Sequence, residues 1–88
     1  MDYQQAKSER DRLEAAQRAA FAILRAIPGY GSGQMGMTPD AIRATPEWQS
    51  AASANGRAFA ALQTFNRDFV KRYRKEIRAD RKRAFCLA

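Results

Sequence analysis

The sequence predicts an all-α protein: an antiparallel helical hairpin with a long glycine-rich connection, a short helical turn inside that connection, and a second copy of the chain to complete the core. Three observations carry this expectation. Residues 3–27 contain no glycine or proline, four glycines crowd into residues 29–37, and one apolar stripe persists from Trp48 to Ile77. A chain of 88 residues also buries little surface on its own, so a partner copy is expected.

The first helix is expected at about residues 3–27. Ala6, Leu13, Ala16, Ala20, Ile23, Leu24 and Ile27 recur with helical period, and Tyr3 and Phe21 join them on one side of the cylinder. Asp11, Arg18, Ala22 and Arg25 fall on the other side. Pro28-Gly29 stops the helix, because proline cannot continue the hydrogen-bond ladder.

Residues 28–45 read as the connection. Thr38-Pro39-Asp40 and Thr45-Pro46-Glu47 each offer a hydroxyl cap, a proline suited to the first helical position and an acid suited to the positive end of the helix dipole. The first is expected to open only a short turn, 39–44, since Pro46 interrupts it. The second opens a long helix, about 46–83. Around Phe69 as centre, Trp48, Ala51, Ala52, Ala58, Phe59, Leu62, Phe65, Val70, Tyr73 and Ile77 fit one stripe about 140° wide. Asn55-Gly56 is the place where this helix is expected to kink if it kinks at all.

The two helices cannot match in length. The first spans about 37 Å and the second about 57 Å. With Ile27 near Trp48, Tyr3 lies near Val70 or Tyr73, and everything beyond Tyr73 overhangs. Ile77, Phe85 and Leu87 then lack an intrachain partner, and Glu76 and Asp80 interrupt the apolar stripe. Tyr73, Glu76, Ile77, Asp80 and Phe85 are therefore the expected contact surface for a second copy. Pairs among Glu9, Arg10, Arg72, Glu76 and Asp80 would fix its register; plain solvent exposure of these groups is the alternative.

Charge is concentrated at one end. The formal net charge is +7, and it divides as +1, 0, 0 and +6 over residues 1–27, 28–45, 46–66 and 67–88. Lys71, Arg74, Lys75, Arg78 and Lys82 fall opposite the apolar stripe, with Arg81 at its edge. A ridge of this kind suits nucleic acid or another polyanion, whose neutralised phosphates release counterions. An acidic protein surface is the other partner such a ridge fits, and an ordinary solvated helix face is the alternative that needs no partner.

Catalysis is not expected. The chain has no histidine and one cysteine, Cys86, close to the end. The only close carboxylate pairs, Glu9 with Asp11 and Glu76 with Asp80, sit among cations that lower carboxylate pKa values, the wrong direction for a general acid. Residues 31–38 have the glycine spacing of a phosphate loop, but methionine stands where that loop needs lysine, and a helix precedes it instead of a strand. No metal, cofactor or small-molecule substrate is expected. Asn66 and Arg74 have the spacing of a zipper-type basic region, yet Phe69 and Val70 are too bulky for close approach to the major groove.

No apolar run is long enough for a membrane span, and the polar start predicts a cytoplasmic, non-secreted protein. Small size, basicity and a missing catalytic kit are common among accessory proteins of phages and mobile elements. The second expectation is thus an inhibitor or adaptor bound to a host protein, for example a nucleic-acid-guided defence complex of the kind anti-CRISPR proteins target. Tyr30, Met35 and Met37 of the loop are candidate contacts for it.

Overall fold

The computed structural model describes residues 1–87. Four α-helices and one 3-10 turn make up the ordered elements: α1 (Tyr3–Arg25), the 3-10 turn (Gln34–Gly36), α2 (Asp40–Arg43), α3 (Pro46–Arg72) and α4 (Arg74–Leu87). No strand occurs among the described residues. The expectation for the Leu87 side chain lies outside what the structure describes.

α1 and α3 begin where a side chain satisfies a free backbone amide. Asp2 caps α1 by accepting from the Gln5 amide at 2.8 Å, and the Gln5 side chain accepts from the Asp2 amide at 2.9 Å. This reciprocal cap lies one residue outside the expected helix start. Thr45 caps α3 as expected, its hydroxyl accepting from the Trp48 amide at 3.2 Å with Pro46 in the first turn. Thr38 does not cap α2. Its hydroxyl accepts from the Gly31 amide at 3.0 Å instead, and α2 starts without a side-chain cap. Within the loop, Gly33 N–H donates to Met37 O at 2.7 Å and Gly36 N–H to Gly33 O at 3.3 Å. Gly29 adopts φ +91°, and a Cβ at that position would meet Ile42 Cδ1 at 2.9 Å, so glycine lets α2 close over the chain.

The main packing is α1 against α3, in opposite directions. At one end Ala6 is buried with Phe69 and Tyr73, and Tyr3, Phe65 and Ile77 pack around them. At the other end Leu24, Ile27 and Ala51 are buried, flanked by Ile42, Trp48 and Ala52. Between them Gln17 donates to Asn55 across the pair at 3.4 Å. α3 passes through Asn55-Gly56 without a break.

The break comes at Tyr73, and it corrects the expected single helix over 46–83. Tyr73 has φ −114° and ψ 30°, outside the helical range. A straight helix from Pro46 to Leu87 would measure about 63 Å, whereas the longest dimension of the whole molecule is 49 Å. The cause is the anchoring of this corner on the start of α1. The Tyr73 ring lies 5.5 Å from that of Tyr3 and 5.4 Å from that of Phe69, and its hydroxyl donates to Met1 O at 2.5 Å. The first helix also ends earlier than expected, at Arg25, although Ile27 still contributes to the core.

The expected apolar stripe is wider than one neighbouring helix can cover. Ile23 is 64% exposed, Phe59 49% and Val70 53%, all at positions the periodicity assigned to the core. Gly56 provides a test of the helix reading. It is exposed, helical and surrounded by open space. Gly56→Ala is expected to stabilise the fold by about 0.5–1 kcal/mol by restricting the unfolded chain, read as a raised urea midpoint in circular dichroism; a lowered midpoint would contradict a continuous α3.

Candidate polyanion-binding face

The corner at Tyr73 sets where the basic segment points. Asp80 on α4 accepts from the Tyr3 hydroxyl at 2.5 Å and pairs with Lys7 Nζ at 3.4 Å, and Arg83 also donates to it. Ile77 packs on the Ala6, Phe69 and Tyr73 cluster. These contacts overturn the expectation that residues beyond Tyr73 overhang without intrachain partners. Of the expected contact surface, Tyr73, Ile77 and Asp80 face their own chain, while Glu76 and Phe85 remain exposed. Within the chain, Glu9 pairs with Arg12 and Arg10 with Asp11.

With α4 held in this way, Arg74, Arg78 and Arg81 share a groove with Arg10 of α1 and with Asn66 and Val70 of α3. The groove has a volume of about 590 Å³. Arg81, which periodicity sets at the edge of the ridge, lines the groove with Arg74 and Arg78. Lys75 and Lys82 sit on the flank of the same helix, and Lys71 precedes the corner. All six are exposed, and none makes an ion pair with another described residue.

Arg10 is the residue the sequence reading did not assign to the site. Its guanidinium lies 5.1 Å from the Phe69 ring centroid, and its Nε is buried without a hydrogen bond, 3.9 Å from Glu14 Oε1. Its position on the buried side of the first helix was the available signal. Asn66 and Arg74, noted for their spacing, line the same groove.

Asp80 separates structural cations from free ones. The hydrogen bond from Tyr3, then that from Arg83 and the nearby Lys7, hold its carboxyl down at about 2, below the ordinary value of 3.8. The same bond from Tyr3 to Asp80 raises the Tyr3 hydroxyl above its ordinary 10.0. Lys7 and Arg83 are thus partnered by a carboxylate that stays ionised, whereas the six groove and flank cations face solvent.

Among the described residues no group of three or more histidine, cysteine or acidic side chains could hold a metal ion, and no helix is long and apolar enough to cross a membrane. Cys86 is free and exposed. No protein-family model, curated protein or solved structure matches this chain.

The pH dependence of the latch follows from these directions. The Asp80 contact favours the folded chain above the ordinary carboxylate pKa and loses that contribution as pH falls through about 2. The Tyr3 contact favours it below pH 10 and fades as pH rises through the raised tyrosine value. Carbon-detected NMR titration is expected to place the Asp80 midpoint near 2. In Asp80→Asn, the Tyr3 midpoint is expected to fall toward its ordinary value; an unchanged Tyr3 midpoint in that variant would contradict the contact.

Proposed function

We propose that the protein is a non-enzymatic binding module that engages a polyanion, nucleic acid in the cytoplasm, through the basic groove and flank of its C-terminal helix. The observation that carries the reading is the set of six exposed cations, Lys71, Arg74, Lys75, Arg78, Arg81 and Lys82, without ion-pair partners among the described residues. Phosphates are the chemical match: arginine forks take two oxygens at once, and each neutralised phosphate releases condensed counterions. Phe69, Val70 and Ile77 give the groove an apolar side against which a base or sugar can rest.

In this reading the body of the protein is an antiparallel helical hairpin that works as a pair of chains. Six buried apolar residues form its core, and none of them is a large side chain fully removed from solvent. That is a small core for 88 residues.

A second reading rests on the loop. Met35 is 97% exposed at φ 57°, and Met37 is also exposed, while Tyr30 packs against Trp48 with ring centroids 5.8 Å apart. Two exposed methionines on a glycine-rich loop suit an adaptable protein contact. An inhibitor or adaptor that docks on a host protein, such as a nucleic-acid-guided defence complex, would use this loop with the basic groove on an acidic surface.

Fluorescence anisotropy with labelled duplex and single-stranded DNA and RNA separates the readings. Binding at about 50 mM salt is expected, with a log–log salt slope of about −4 to −5 if all six cations engage. Charge reversal at Arg74, Arg78 and Lys82 together should abolish it with the helical spectrum unchanged. Absence of binding at low salt, or binding indifferent to salt, would overturn the nucleic-acid reading. One stoichiometric protein captured through Met35 and Met37 after nuclease treatment would favour the second.

A further inference from the structure

One side of the α1–α3 pair is left without a cover. Along α3, Glu47, Ala54, Ala61, Phe65 and Arg72 fall within about 40° of one another, so they form a single face. Two apolar grooves lie on this face, one beside Ala6 and Leu13 in the first half of α1 and one beside Ile23 near its end. It is separate from the basic groove, which opens on the Asn66 and Val70 side of α3.

The geometry points to a second copy of this chain as the occupant, packed with its α3 antiparallel to this one. The argument is the self-complementarity of the face. A two-fold axis at the level of residues 59 and 60 sets residue i opposite residue 119 − i. Phe65 of each copy then meets Ala54 of the other, a large side chain against a small one, and Ala58 meets Ala61, which lets the helices approach closely. At the two ends Glu47 of one copy meets Arg72 of the other. Neither Glu47 nor Arg72 has an ion-pair partner among the described residues. Asp68 comes level with Ser50 and Ala51.

The size is adequate. The face is about 40 Å long, the length of α3, and about 20 Å across two packed helices, so about 800 Å² per copy, what one partner contributes to a standard stable interface. The same arrangement covers Ile23 and Phe65 and sends the two α4 segments to opposite ends of the dimer, roughly 40 Å or more apart.

This inference rests on the two-copy reading in the preceding subsection and adds the surface and its register. Light scattering on the full chain at high micromolar concentration is expected to give twice the chain mass of 9.9 kDa. Ala61→Arg, placed at the centre of the face on an exposed alanine, is expected to give the chain mass with helicity retained. Glu47→Arg and Arg72→Glu should each weaken association about tenfold, since each sets like charges against one another at both ends, and the double variant should restore it. Glu47 and Arg72 lie about 37 Å apart within one chain, so rescue can only act between copies. A wild-type monomer would sink both the two-copy reading and this surface, leaving the face to a different partner. A dimer indifferent to Ala61→Arg and to both single swaps would sink the surface alone.

Discussion

The contact on which the molecule turns is the seating of Tyr73 and Asp80 on the start of α1. Tyr3, Phe69 and Tyr73 stack around the buried methyl of Ala6, the Tyr73 hydroxyl takes the carbonyl of Met1, and the Tyr3 hydroxyl takes the Asp80 carboxylate. Without it the chain beyond Arg72 has no reason to leave the α3 axis. With it, α4 begins at Arg74 in a new direction, and its arginines come to stand beside Arg10 instead of extending into solvent beyond α1. Local helix geometry, aromatic packing and the position of the positive charge are therefore linked through one corner of the fold.

That corner also explains how the charge is divided. Acidic groups are few, and the described ion pairs take Lys7, Arg10, Arg12, Arg43 and Arg83. The six groove and flank cations are among the eleven Lys and Arg residues left without an ion pair among the described residues. They sit at like-charge spacing, which is unfavourable for the isolated protein, and a surface of that kind is relieved by a bound polyanion. The apolar face on the other side of α3 has the corresponding property for a second chain. The two unsatisfied surfaces belong to different sides of one helix and so need not compete.

Much of the helix plan was legible because it rests on local chemistry. The Thr45-Pro46-Glu47 signal starts α3 where the structure does, and the absence of glycine and proline before Pro28 marks the first helix. The corner was not legible, since Arg72-Tyr73-Arg74 contains no helix breaker and the bend is imposed from α1, about 70 residues away in the chain. Asn55-Gly56 was the local signal for a kink, and α3 runs through it without one. For the site, the cluster of cations was readable from the positions of lysine and arginine along the chain, whereas the place of Arg10 beside Arg74, Arg78 and Arg81 depends on the angle of α4, which periodicity does not encode.

The seating of Asp80 of α4 on Tyr3 and Lys7 at the start of α1 is open to a direct check by NMR of the full chain. The account predicts cross-relaxation between the Tyr3 ring protons and the β-protons of Asp80, together with an interruption of the sequential helical pattern at Tyr73. An uninterrupted helical pattern from Pro46 through residue 83, with no contact between Tyr3 and Asp80, would contradict it.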